Sequence, residues 1–146
     1  MRKFEIAKGF ENEDIILPVR ATSKSAGYDI RTLDSYKLLP GERQTFRTGL
    51  KACMEDDEVL YIFVRSSIAI KKGICLSNNV GVIDADYYNN PDNDGHIMVS
   101  LYNFSNDDVL IEKGERIAQA VFMKYQIVDD DKATSKREGG IGSTNK

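Results

Sequence analysis

Ile97-Met98-Val99-Ser100-Leu101-Tyr102-Asn103-Phe104 is the stretch on which the fold turns. Side chains alternate across a β-strand, so Ile97, Val99, Leu101 and Asn103 share one face and Met98, Ser100, Tyr102 and Phe104 the other. Both faces carry apolar groups, which predicts a strand covered on both sides. Working outward, the other apolar stretches are equally short: Phe4 to Ile6, Val59 to Val64, Ile74 to Leu76, Val80 to Ile83 and Val109 to Ile111. Gly41, Gly49, Gly73, Gly81, Gly95 and Gly114 punctuate them, the pattern of short strands joined by tight turns in an all-β sandwich or barrel. Glu115 to Met123 holds the helix formers Ala118, Gln119 and Ala120, but its place after Lys113-Gly114 and its continuation as Val121 to Val128 favour a strand. One short helix is predicted to start at Ser66-Ser67, with a hydroxyl capping the free amides, Lys71 and Lys72 in the last turn and Gly73 after it.

A chain of 146 residues is the size of one domain. Its 41% hydrophobic and 29% charged residues give an ordinary soluble balance. A formal charge of -3 argues against nucleic acid as a ligand, because such binders present a basic footprint. The segment Met1-Arg2-Lys3-Phe4-Glu5-Ile6-Ala7-Lys8 is broken by charge, which excludes the apolar run of a signal peptide or membrane span and points to a cytoplasmic protein. Cys53 and Cys75 lack the spacing of a zinc or redox motif and read as idle thiols. From Asp129 the composition changes to a polar linker and then to glycine-rich Arg137-Glu138-Gly139-Gly140-Ile141-Gly142-Ser143-Thr144. Residues 1–128 therefore read as a β domain and 129–146 as a C-terminal arm.

Three segments can carry chemistry. Arg65-Ser66-Ser67, at a helix start, brings a guanidinium, hydroxyls and free amides to a positive end that suits a phosphate; an ordinary helix cap has the same appearance. Asn78 to Tyr87 is an apolar strand ending in Asp84-Ala85-Asp86-Tyr87, where a carboxylate at a strand end can be aimed into a cleft. A turn is expected over residues 88–95, which are rich in Asn, Asp, Pro and Gly. The glycines of the arm let backbone amides approach a phosphate closely, as a plain flexible terminus also would. His96, the only histidine, reads as a surface residue, and Glu55-Asp56-Asp57-Glu58 as a solvated loop without the spacing of a calcium site.

Taken in order, these segments resemble the five motifs of the trimeric dUTPase family. Ser25-Ala26-Gly27-Tyr28-Asp29-Ile30, preceded by Leu17-Pro18-Val19-Arg20-Ala21-Thr22, is similar to the first motif. Arg65 to Gly73-Ile74 is similar to the second, Asn78 to Tyr87 to the third, Gly114-Glu115-Arg116-Ile117-Ala118-Gln119 to the fourth, and Arg137 to Thr144 to the fifth. The resemblance implies a single-domain jelly-roll β-fold and a homotrimer with active sites shared at subunit junctions. Motifs one, two and four would come from one subunit, the third from another, and the arm would close over a neighbour's site. It implies Mg²⁺-dependent hydrolysis of dUTP to dUMP and pyrophosphate, which keeps uracil out of DNA and supplies dUMP for dTMP synthesis.

Asp84 is then the general base for water attack on the α-phosphate. Asn78, Val82, Ile83 and Met98 line the uracil pocket, and Tyr87 packs on the deoxyribose. Arg65, Ser66, Ser67 and Gln119 hold the phosphates. Arg137, Ile141, Gly142, Ser143 and Thr144 form the lid, and Asp29 reaches the metal through water. The chain departs from the family pattern in the longer hairpin of residues 88–95, a surface open to a protein partner, in Ile141 where an aromatic is usual, and in Lys136 at the aligned position of the arginine now found at Arg137. A related deaminase of dCTP would need a glutamate where this chain has Ser100. An idle relative serving as a binding module would not need to keep Asp84, Gln119, Arg65 and Ser66.

Overall fold

The computed structural model describes residues 1–142. The strands follow as β1 (Lys3–Ile6), β2 (Tyr28–Arg31), β3 (Tyr36–Leu38), β4 (Arg43–Cys53) and β5 (Glu58–Val64). After the helix α1 (Ser66–Lys72) come β6 (Ile74–Leu76), β7 (Gly81–Asp84), a single 3-10 turn (Ala85–Tyr87), β8 (Ile97–Asn103), β9 (Val109–Ile111) and β10 (Arg116–Lys124). One four-stranded sheet runs β1-β4-β8-β6 and the other β2-β10-β5-β7, with β3-β9 as a separate pair. All of these pairings are antiparallel. This is the expected all-β, jelly-roll-like architecture.

The core forms between the two sheets. Leu50, Val99 and Leu101 of the first sheet join Leu60, Ile62, Ala118 and Ala120 of the second in one buried cluster. Each fully buried Leu or Ile contributes roughly 1.5–3 kcal/mol. In β8 the predicted alternation holds: Ile97, Val99, Leu101 and Asn103 are buried, and Met98, Ser100 and Tyr102 are half-buried. That second face is not capped by a further layer, and Met98 and Ser100 form part of a pocket wall. Asn103 is tolerated in the core because its Nδ2 donates to the carbonyls of Leu38 at 3.1 Å and Asp107 at 2.8 Å, while its Oδ1 accepts from Ser105. A buried amide with every site used costs little.

Four expectations need correction. Strand β10 stops at Lys124 and not at Val128, because Lys124 pairs with Glu58, the first residue of β5, and no partner strand remains beyond it. Tyr125 turns away, donating its N–H to Asp57 O and its hydroxyl to Asp56 O. Helix α1 has no side-chain cap: Arg65 occupies the cap position, and Ser66 and Ser67 are already inside the first turn. Its C-terminal end is as predicted, with Gly73 left-handed at φ 67° and donating to Ala69 O, a conformation that glycine adopts without strain.

The remaining two corrections concern burial. His96 is only 7% exposed, not a surface residue. The β4–β8 register slips between Arg47 and Leu50, and His96 fills the irregularity: its Nε2 accepts the Gly49 N–H at 3.0 Å, under the ring of Phe10. Burial foremost, then the charge of Arg47, hold its pKa down at about 4, partly opposed by Asp34. Glu58 likewise leaves the solvated loop. It is buried at the head of β5, where it accepts from Arg2 Nε at 2.5 Å and from the Glu55 N–H at 3.0 Å.

Candidate active site

Strand β7 is the outermost strand of its sheet, paired to β5 on one side only. The backbone groups along its other edge have no strand to bond, and beside them lies a cavity of about 500 Å³, within the range of small-molecule sites. Asn78, Val82, Ile83, Asp84, Tyr87 and Met98 all line it. An edge of amides and carbonyls framed by aliphatic side chains can read a flat heterocycle that offers donors and acceptors along one side. Asp84 closes the strand, its side chain about half exposed, as a strand-end carboxylate should be. Tyr87 is buried at the cavity wall, donating its O–H to His96 O at 2.8 Å and accepting from Asn93 Nδ2 at 2.8 Å. Burial foremost raises its pKa, so the phenol keeps its proton.

The arm folds over this cavity in the same chain. Arg137, and not the exposed Lys136, turns inward. Its Nη2 donates to Asp84 Oδ2 at 2.6 Å and its Nε to Asp86 Oδ1 at 2.7 Å, with the guanidinium 5.7 Å from the centre of the Tyr87 ring. Gly140, Ile141 and Gly142 join the lining, although Ile141 keeps 77% of its surface exposed. Ser143 and Thr144 lie outside the described residues.

The other expected residues gather elsewhere. Asp29 on β2 is paired with Arg65 at 3.2 Å and with Arg116 at 3.3 Å. Gln119, opposite Asp29 in the β2–β10 register, lies across Gly27 so closely that a Cβ there would stand 2.4 Å from its Oε1. Ser66 and Ser67 are exposed beside Arg65. None of Arg65, Ser66, Ser67 and Gln119 lines the cavity. Strand β5 sets the separation: Asp84 pairs with Val59 near one end and Arg65 follows Val64 at the other. Six residues of strand at 3.3 Å each place the two clusters about 20 Å apart along β5. Among the described residues no three His, Cys, Asp or Glu side chains gather to hold a metal ion.

The family model for dUTPase matches residues 13–145. The chain belongs to the dUTPase family. A deoxyuridine 5'-triphosphate nucleotidohydrolase of Lactococcus lactis is 49% identical over 146 residues, covering 99% of this chain and 97% of that protein. One of Haemophilus influenzae is 40% identical over 138 residues, covering 89% and 87%. The crystal structure of the dUTPase from Streptococcus mutans superposes with a TM-score of 0.80 at 44% identity, over 87% of this chain and 98% of that one. The dUTPase of phage phi11 of S. aureus, at 17% identity and a TM-score of 0.74, shares the fold.

Against this dUTPase framework, several residues at the two clusters escape a reading of the motifs alone. Ser77 and Ser100 line the cavity with their hydroxyls 2.7 Å apart, beside Thr45. Period-two alternation from Met98 finds Ser100, whereas Thr45 needs the β4–β8 register that pairs it with Ser100. Asp86 and Arg116 are visible as charges, but only the fold assigns them to Arg137 and Asp29.

Proposed function

We propose that the chain hydrolyses dUTP to dUMP and pyrophosphate at sites shared between copies in a cytoplasmic homotrimer, keeping uracil out of DNA and supplying dUMP for dTMP synthesis. The observation that carries this reading is the division of the family's residues into two clusters about 20 Å apart along one strand. A base reader and a phosphate reader that far apart cannot serve one nucleotide within one chain. A neighbouring copy that sets its Arg65 cluster against the Asp84 cavity completes the site.

In that junction the edge of β7 pairs with uracil between Asn78, Val82, Ile83 and Met98. Cytosine, with a donor where uracil has an acceptor, leaves buried groups unpaired, and the methyl of thymine finds no room. Tyr87 packs on the deoxyribose and leaves no space for a 2′-hydroxyl. The carboxylate of Asp84 orients a water in line with the α-phosphorus and takes its proton as the P–O bond to the leaving pyrophosphate breaks. Arg65, the amides and hydroxyls of Ser66 and Ser67, and Gln119 hold the phosphate oxygens. The arm, residues 129–146, closes as the lid over a neighbouring copy's site: Arg137 exchanges Asp84 and Asp86 for the phosphate chain, while Ile141, Gly142, Ser143 and Thr144 exclude water. Magnesium would be held by the phosphates of dUTP and would supply charge neutralisation of the triphosphate. Asp29, engaged by Arg65 and Arg116, stands at the outer shell.

A panel of dUTP, dTTP, dCTP and UTP with Mg²⁺, assayed for pyrophosphate, tests the reading. Release from dUTP far above the other three is the expected result. Equal release from all four, or ammonia from dCTP, would overturn it.

A further inference from the structure

The connection between β7 and β8 crosses from one sheet to the other, and so is not the hairpin expected of residues 88–95; it is wrapped around the Tyr87 ring in the cavity wall. Asn93 Nδ2 donates to the Tyr87 hydroxyl at 2.8 Å. That amide is itself held in place: its Oδ1 accepts from the Gly95 N–H at 3.1 Å and from Asn90 Nδ2 at 2.8 Å. Asn90 is buried and also donates to Tyr87 O at 2.8 Å, while its Oδ1 accepts the N–H groups of Asp92 and Asn93 at 3.1 Å. The Asn93 amide therefore has one orientation, and so does the phenol it holds. The arm lies against the same loop. Gly140 N–H donates to Asp92 Oδ2 at 3.2 Å, and a Cβ at Gly140 would stand 2.8 Å from Asn93 Nδ2 and 2.9 Å from Asp92 Oδ2.

We propose that Asn93 is a positioning residue for sugar discrimination: its side-chain amide fixes the Tyr87 ring beside the 2′ carbon, and together with Asp92 it forms the seat for Gly140 of the arm. The proposal rests on the reading of Tyr87 as the residue that packs on deoxyribose. A ring held at its hydroxyl from two sides cannot tilt to admit an extra oxygen. Released from Asn93, it keeps only the bond to His96 O and can rock about it. Because the same loop atoms touch Gly140, one amide sets both the wall of the sugar subsite and the landing of the lid.

Asn93→Asp keeps the oxygen that serves Gly95 and Asn90 and replaces the donated N–H with a carboxylate oxygen; the single phenolic proton of Tyr87 can then serve His96 O or the carboxylate but not both, so the hold from two sides is lost. Gly140→Ala probes the same amide from the arm, outside the two sheets, and so leaves the fold intact. Steady-state kcat and KM for dUTP and UTP are measured for the wild type, both variants, Tyr87→Phe and the Tyr87→Phe/Asn93→Asp double variant. One neutral hydrogen bond predicts a fall of about fivefold in the preference for dUTP over UTP in Asn93→Asp. A fall in the same direction is expected in Gly140→Ala, and none beyond that of Tyr87→Phe in the double variant, because both changes act through one oxygen. Unchanged preference in Asn93→Asp and Gly140→Ala, no effect of Tyr87→Phe, or additive losses in the double variant would overturn the proposal while leaving dUTP hydrolysis standing. A wild type without preference for dUTP sinks the functional reading first, and this inference with it.

Discussion

The cavity beside β7 and the cluster around Arg65 are built on opposite principles. The first is a shaped space: aliphatic walls, an open strand edge, one buried ring and the glycines of the arm along one side. The second is a balance of charge with little enclosure, in which Asp29 draws Arg65 and Arg116 into place and the exposed Ser66 and Ser67 stand ready. A base is told apart by shape and by its pattern of donors and acceptors, whereas a phosphate chain is held by fixed cations. The fold keeps the two clusters at opposite ends of β5, and in the proposed function a neighbouring copy unites them.

The sharpest way to break this comparison is at the carboxylate. Asp84→Asn should lower kcat for dUTP about 10³-fold with little change in KM, as removal of a general base does; pyrophosphate assays under saturating substrate measure it, and an unchanged rate removes Asp84 from the chemistry. Deleting residues 136–146 should cost about 10²-fold in turnover, from lost positioning and water exclusion, with the oligomer intact by light scattering. Full activity would mean that the arm is no lid.

Mixing tests the division itself. Asp84→Asn and Arg65→Ala chains, each inactive alone, should after unfolding and joint refolding recover about a quarter of wild-type activity, since random partners supply an intact Asp84 and an intact Arg65 in one site in four. No recovery would place both residues in one chain's site. The smallest effect concerns only the cavity side. Unfolded His96 takes a proton near its ordinary pKa, but the folded residue does so only at about 4. Stability is therefore full above pH 6.5 and declines as pH falls toward 4, by up to about 3 kcal/mol. Urea melts across that range should show a shallower decline in His96→Gln.

Much of the design is legible in the chain, and what is hidden has a common cause. Period-two alternation places Ile97, Val99 and Leu101 inside, and the ordered motifs bring Asn78, Val82, Ile83, Asp84, Tyr87 and Met98 to one cavity. These are local signals. His96 and Glu58 read wrongly because their burial depends on partners distant in sequence, a slipped register at Gly49 and the side chain of Arg2. The missing hydroxyl cap on α1 reflects a boundary one residue earlier than the serines suggest. Asn93 looks like any turn asparagine until the hydroxyl of Tyr87 is found beside it.

The open edge of β7 has a consequence for solubility. An unpaired strand edge is a template on which another chain can add its own strand, the first step toward aggregation. Here that edge is four residues long, ends in a carboxylate and lies beneath a glycine-rich arm tied down by Arg137. The strand edge that borders the cavity is too short, too charged and too well covered for another chain to add a strand to it.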